Sequence, residues 1–370
     1  MKIVMTGGGT GGHIYPALAI ADKFVQKHPE TEIIYIGSED RLERDIVPKH
    51  GYKFESVDTM YLDRDNPLKL IKTAFSNMRG IRQAKKLLKK YKPDLVISTG
   101  GYISIPVVIS ASSMSIPIFI HEQNAFPGMA NKFLEKYADK IFLGFNDARE
   151  RFKNKDKLIY TGNPVRDDFY KIDKKSARKA LGIDEGIFNI FIFGGSLGSQ
   201  VINNIGIEII KKFSQNKDIH IMLGTGNDMY DEVIRTLRKE VGNLGKNINI
   251  SAYINYIPNA ISSADIVICR AGALSVAEIT ASGRPAIFIP SPNVTENHQY
   301  YNAKSVSDKG GAYLVEEDEM TAHRVIEKIE YLYENPYELI DMREDSKHCS
   351  SQDATEIIYK SITKELKNER

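Results

Sequence analysis

The sequence predicts an α/β protein of two doubly wound parallel-sheet domains facing a cleft, and three observations lead there. Short runs rich in Val, Ile and Phe alternate with longer amphipathic stretches, the pattern of buried parallel strands covered by helices. That series runs twice, with a break near Thr161-Gly162-Asn163-Pro164. Each series holds a strand that passes into a glycine-rich turn and then a helix. The 370 residues are enough for two sizeable cores.

Taken in order, strands are expected at Met1–Met5, Glu32–Ile36, Leu95–Ser98, Ile116–Ile120 and Lys140–Leu143 in the first half. The second half repeats the plan with Phe188–Phe193, Ile219–Leu223, Ile248–Ala252, Ile266–Cys269 and Ala286–Ile289. The glycine turns are Gly7-Gly8-Gly9-Thr10-Gly11-Gly12 and Gly194-Gly195-Ser196-Leu197-Gly198-Ser199. Glycine lets backbone approach an anion closely, and a helix N-terminus offers unpaired N–H groups. In open parallel sheets such loops lie at the carboxyl ends of the strands, where ligands bind.

The first turn fits the dinucleotide fingerprint, which alone is a weak signal. A nicotinamide enzyme needs an acid ending the second strand; here that strand ends Ile36-Gly37-Ser38, with Glu39-Asp40 only beyond it. No Gly-Lys-Ser/Thr closes either loop, which weighs against Walker-type phosphate binding. His13 follows the first turn directly, where the positive end of the helix dipole favours a neutral imidazole able to accept a proton. A backbone cap is the plainer role for such a histidine.

Composition narrows the class. Cys269 and Cys349 are too few for a disulfide framework or a thiolate metal site, so a reducing compartment is the default. Ile3-Val4-Met5 is too short for a signal-peptide core, and Leu95 to Ile120 is interrupted by Gly100-Gly101, Pro106 and Pro117, so no spanning helix is expected. The net charge of +2 hides an asymmetry: residues 1–163 carry 25 basic and 18 acidic side chains, the remainder 25 and 30. Asn66 to Lys92 holds nine Lys/Arg and no acid. Within it Leu68, Ile71, Phe75 and Met78 form a helical stripe flanked by Lys72, Arg79 and Arg82. Such a stripe either packs on a core or lies on an anionic bilayer. Ile81, Ala84, Leu88 and Tyr91 are read as its core-facing continuation.

Gly8-Gly9-Thr10-Gly11-Gly12-His13-Ile14-Tyr15-Pro16, Gly100-Gly101-Tyr102 and His121-Glu122-Gln123-Asn124 together resemble the MurG family. So do, in order, Gly162-Asn163-Pro164-Val165-Arg166, Gly194-Gly195-Ser196, Arg270 to Glu278, and Asn297-His298-Gln299 before Asn302-Ala303. The resemblance covers the chain to about residue 345. These are the N-acetylglucosaminyltransferases that complete lipid II in peptidoglycan synthesis. The resemblance implies a GT-B fold of two Rossmann-like domains. Residues 1–163 would bind acceptor and membrane, 164–345 would bind UDP-GlcNAc, and a C-terminal helix within 346–370 would pack back on the first domain.

What the resemblance implies for individual residues follows. Thr10, Gly11 and Gly12 match the loop near the donor phosphates and transferred sugar, and Asn124 a donor-site residue. Arg166 and Ser196 match groups near the diphosphate, and Ile254 the position whose backbone meets uracil. Ala273, Leu274, Ser275, Val276 and Ala277 open a helix aimed at the diphosphate. Glu278 would hold the ribose hydroxyls, and Gln299 the GlcNAc ring. The reaction would be an inverting transfer of GlcNAc to the C4 hydroxyl of MurNAc in lipid I, with His13 or Glu122 as base. A related GT-B enzyme using another lipid acceptor is the alternative. No Asp-x-Asp lies near either glycine loop, so neither a metal nor any other cofactor is expected. The implied partners are UDP-GlcNAc, lipid I and the anionic cytoplasmic face of the inner membrane, with cell-wall synthesis proteins as candidates and no nucleic acid. The membrane-bound acceptor favours the bilayer reading of the Leu68–Met78 stripe, and so a peripheral protein.

Overall fold

The structure is a computed structural model that describes residues 1–60, 67–195, 197–351 and 353–368; the side chains of residues 67–75 and 368 are outside that description. The chain forms two compact units, Met1–Pro164 with Asp353–Arg370, and Val165–Gln352.

The first unit is a seven-stranded, all-parallel sheet. Its strands are β1 (Lys2–Thr6), β2 (Glu32–Gly37), β3 (Lys53–Ser56), β4 (Leu95–Ser98), β5 (Ile118–Glu122), β6 (Lys140–Leu143) and β7 (Leu158–Tyr160), in the order β3-β2-β1-β4-β5-β6-β7. The second unit has six strands: β8 (Phe188–Phe193), β9 (Ile219–Gly224), β10 (Ile248–Ser251), β11 (Ile266–Cys269), β12 (Ala286–Phe288) and β13 (Ala312–Leu314), in the order β10-β9-β8-β11-β12-β13. Both sheets reverse direction of winding beside their first strand, between β1 and β4 and between β8 and β11. That crevice is where a doubly wound sheet binds ligands.

The central strands are buried on both faces, which is why they read as unbroken apolar runs: Ile3, Val4 and Met5 in β1, and Ile190, Phe191 and Ile192 in β8, are fully covered. Helices seal the faces. Gly11–Lys27 buries Ile14, Leu18, Ile20 and Phe24, and Pro67–Tyr91 buries Ala84, Leu88 and Tyr91. The last helix, Ala354–Asn368, packs on Gly11–Lys27. Ile358 and Ile362 are buried there, Tyr359 meets Phe24 edge-on at 5.1 Å, and Lys27 pairs with Glu356 at 3.0 Å. Pro336–His348, by contrast, belongs to the second unit.

Parallel register fixes the site. Thr6 pairs with Ser98, so the turn after β1 lies beside Thr99-Gly100-Gly101; Phe193 pairs with Cys269, so the turn after β8 lies beside Arg270.

Candidate active site

In the first unit the chain leaves β1 into the glycine turn and re-enters order at the helix Gly11–Lys27, with Thr10 as its N-cap. Thr10 and Gly12 are exposed, and no acidic side chain occupies the helix's first turn. The first N–H groups of a helix lack intrahelical partners, so Gly11 and Gly12 offer donors at a positive dipole end. Gly101 is required where it stands: its φ of +80° is left-handed, and a Cβ there would lie 2.6 Å from the Gly8 carbonyl oxygen.

His13, in the first turn of that helix, has its ring Nδ1 2.8 Å from the Thr99 carbonyl oxygen and 3.1 Å from Gln123 Oε1. A carbonyl can only accept, so Nδ1 carries the proton and Nε2 bears the lone pair. Gln123 is held in one orientation by the same logic. Its Nε2 donates to the His121 carbonyl at 3.1 Å and to His121 Nδ1 at 3.0 Å, which turns Oε1 toward His13. His121 in turn donates from Nε2 to the Gly162 carbonyl at 3.2 Å. Burial pushes His121 down to about 4, so it stays neutral and the chain persists at neutral pH. Among the described residues His13 Nε2 takes no hydrogen bond. That is the arrangement of an oriented general base.

Glu122, the other candidate base, sits in an enclosed setting. Its carboxylate is 1% exposed. It accepts from the Asn124 backbone N–H at 2.9 Å, Asn124 Nδ2 at 3.2 Å, the Gly128 N–H at 3.0 Å and Asn131 Nδ2 at 2.8 Å. A carboxylate so engaged braces the loop 122–131. Asn124 is part of that brace.

In the second unit, the turn after β8 leads into the helix Gln200–Phe213, capped by Ser199. Ser196 lies outside the described residues. Arg270, at the end of β11, donates from Nε to Ser199 Oγ at 3.1 Å and from Nη1 to Glu317 at 2.5 Å and the Ile289 carbonyl at 3.2 Å. It thereby ties the glycine loop to the strand ends beside it. The next helix, Ala273–Ala281, has Gly272 as N-cap and no acid in its first turn. Buried Asn302 donates to the Ala271 carbonyl at 3.1 Å and fixes the entry to that helix. The N–H groups of Ala273, Leu274 and Ser275 are free of intrahelical bonds by helix geometry. Val276 and Ala277 lie past these free donors. The Val276 N–H already bonds the Gly272 carbonyl at 3.0 Å, and Ala277 follows inside the helix.

Glu278 lies further along the same helix, partly buried, and no donor among the described residues reaches its carboxylate. Burial pushes it up to about 7 against the opposing pull of Arg166. Arg166 itself is exposed, its guanidinium 5.4 Å from the Phe169 ring centroid. Gln299 is oriented by accepting from the Ser291 N–H at 2.9 Å, which turns its NH₂ group outward. It follows two residues with left-handed backbone, Glu296 and Asn297, at φ of 59° and 50°. Ile254 is buried against Gly224.

Sequence reasoning gave no role to Thr99, Gln123, Arg270 or Glu43. Gln123 and Arg270 stand inside motifs already quoted, and their partners became visible only when the strand ends were set side by side.

The first half of the chain matches the model of the glycosyltransferase family 28 N-terminal domain over residues 3–143. The second half matches the C-terminal domain of the same family over residues 189–358. A UDP-N-acetylglucosamine--N-acetylmuramyl-(pentapeptide) pyrophosphoryl-undecaprenol N-acetylglucosamine transferase of Clostridioides difficile is 40% identical, over 98% of this chain and 89% of its own. The protein of the same name from Alkaliphilus oremlandii is 39% identical over 98% of each. Among solved structures, Acinetobacter baumannii MurG superposes with a TM-score of 0.78 at 26% identity, covering 98% of this chain and 99% of its own. A UDP-GlcNAc 2-epimerase from Neisseria meningitidis, bound to UDP-GlcNAc, does so at 0.71 and 18% identity over 98% and 100%, a likeness of fold alone.

Proposed function

Because the chain belongs to the MurG family within glycosyltransferase family 28, we propose that it transfers GlcNAc from UDP-GlcNAc to the C4 hydroxyl of MurNAc in lipid I, forming lipid II. The observation that carries this reading is identity of about 39% along the full length to proteins named for that transfer. The fold is GT-B.

The chemistry assigned to each group is as follows. The acceptor hydroxyl oxygen forms a bond to the anomeric carbon while the bond from that carbon to the UDP phosphate oxygen breaks, with inversion. The hydroxyl proton passes to His13 Nε2, whose tautomer is set by Thr99 and Gln123. The electron pair leaves with UDP. Its developing charge is met by the N–H groups of Ala273, Leu274 and Ser275 at a helix N-terminus, by Arg166, and by the loop that holds Ser196. Ionised Glu278 accepts from both ribose hydroxyls, the backbone of Ile254 meets uracil, and the outward NH₂ of Gln299 meets a GlcNAc hydroxyl. Thr10, Gly11 and Gly12 bound the transferred sugar. With a guanidinium and a helix N-terminus to receive the charge, the reaction requires no divalent metal or other cofactor.

The enzyme is proposed to work at the cytoplasmic face of the cell membrane as a peripheral protein, where cell-wall synthesis proteins are candidate partners. No helix among the described residues is long and apolar enough to cross a membrane. The basic, acid-free stretch from Asn66 to Lys92 supports attachment to anionic lipid. Met78, Arg79 and Arg82 on it are exposed, whereas the side chains of Leu68, Ile71, Lys72 and Phe75 lie outside the described residues. Acceptor choice tests the reading: a short-chain lipid I analogue is glycosylated and diacylglycerol is not. Glycosylation of diacylglycerol alone would establish the other lipid acceptor.

A further inference from the structure

The first glycine turn has the form of an anion cradle, yet an anion of the chain's own already fills part of it. Glu43, in the short helix Glu43–Lys49 after β2, is fully buried. Its Oε2 accepts from the Gly9 N–H at 3.1 Å and its Oε1 from the Ser38 N–H at 3.1 Å. The fit leaves no room for side chains around it: a Cβ on Gly8 would lie 2.5 Å from the carboxylate, and one on Gly37 would lie 2.6 Å from Glu43 Cγ. Buried Tyr35 holds the turn from the same side, its hydroxyl donating to the Gly7 carbonyl at 2.7 Å. Its phenol is pushed well above the usual range by burial and by the Glu43 charge.

We infer that Glu43 is a positioning residue of the transfer reaction, a built-in anion that takes up the Gly9 N–H and sets the turn from which His13 emerges. The turn runs from Gly9 through Thr10 into the helix, so only three residues separate the Glu43 bond at Gly9 from His13. A shift of about an ångström in a catalytic group costs on the order of a hundredfold in rate. Of the two N–H groups that bond Glu43, that of Gly9 belongs to the glycine turn and that of Ser38 to the residue just after β2, so the carboxylate ties the turn to the neighbouring strand end.

The inference rests on the reading of His13 as base, and chemical rescue separates the two. Glu43→Gly opens a space walled by the Gly9 and Ser38 N–H groups. Its kcat is expected to fall ten- to a hundredfold with KM for UDP-GlcNAc within about twofold. Added formate or acetate should restore at least tenfold of that loss and leave Glu39→Gln, an exposed neighbour, unaffected. In the same variant the Gly9 and Ser38 amide resonances should shift on titration with acetate, a readout independent of activity, and the wild type should show neither shift. Should Glu43→Gly fail to fold, Glu43→Gln, which turns an NH₂ toward one of the two N–H donors, should show the same split of kcat against KM. Unchanged kcat in either variant, or a folded Glu43→Gly whose amides and rate ignore carboxylates, would overturn the inference. A His13→Ala variant of undiminished kcat would instead overturn the reading of the base.

Discussion

His13 Nδ1 lies 3.1 Å from Gln123 Oε1, with the Thr99 carbonyl at 2.8 Å sharing the same proton. This leaves the Nε2 lone pair free of any hydrogen bond among the described residues. His13→Ala is therefore expected to lower kcat roughly a hundredfold to ten-thousandfold. UDP-GlcNAc affinity, measured by calorimetry, should stay within a few-fold.

Gln123→Glu tests the hydrogen-bond chain behind His13. The groups facing the imidazole are the Thr99 carbonyl, Gln123 and, through it, neutral His121, while Glu43 stops at the Gly9 amide. A carboxylate beside Nδ1 stabilises the imidazolium, so the base form requires higher pH. The acid limb of the kcat profile should move up by about one unit or more. An unmoved limb would remove Gln123 from the orienting chain.

Glu122 behaves differently if it is a loop brace. Glu122→Ala strands the Gly128 and Asn131 donors in the interior and should destabilise the first unit by about 2 kcal/mol or more. Denaturant unfolding measures that loss. The pH profile of the residual activity should keep the wild-type acid limb, since the proposed base, His13, is untouched.

The Glu278 carboxyl, pushed up to about 7 by burial, is expected to make donor binding pH-dependent. The proposed ribose contact needs the ionised form, so affinity for UDP should rise as pH increases through about 7, and Glu278→Gln should flatten that dependence and weaken binding at pH 8. The sign for stability is opposite. The folded form holds its proton between the ordinary carboxylate range and about 7 while the unfolded chain has lost it, so this group's contribution falls with rising pH across that window. Comparing Glu278→Gln with wild type at pH 5 and pH 8 isolates it.

Membrane attachment is checked with vesicles. Phe75→Asp and Arg82→Glu should each weaken binding to vesicles containing anionic lipid, and salt should do the same. Arg79→Glu also breaks an exposed ion pair with Asp58 at 2.7 Å, which is worth little for stability. Equal binding by the variants would confine the basic stretch to a solvated face.

The fold was legible wherever strands are buried on both faces. β4, β6, β8 and β11 occur with the bounds their apolar runs mark out. The edge strands β3, β7 and β13 escaped because they are three or four residues long and half exposed, so no apolar run announces them. The site divides in the same way. His13 stands out in the sequence because it directly follows a glycine turn at a helix start, and Glu278 because it lies in a motif that resembles the family's. The brace at Glu122 was not legible because the four donors that surround it come from residues up to nine positions away, folded over it by the turn at Gly128. Glu43 was missed because Glu39 and Asp40 stand nearer to β2 in sequence yet are exposed, while Glu43 is turned inward by its short helix.

The most direct test of the whole account is a time course with UDP-GlcNAc and a short-chain lipid I analogue, with and without EDTA, in which UDP and disaccharide product are both counted. One β-1,4-linked disaccharide is expected for each UDP, at the same rate with the chelator present. UDP release without disaccharide would contradict it.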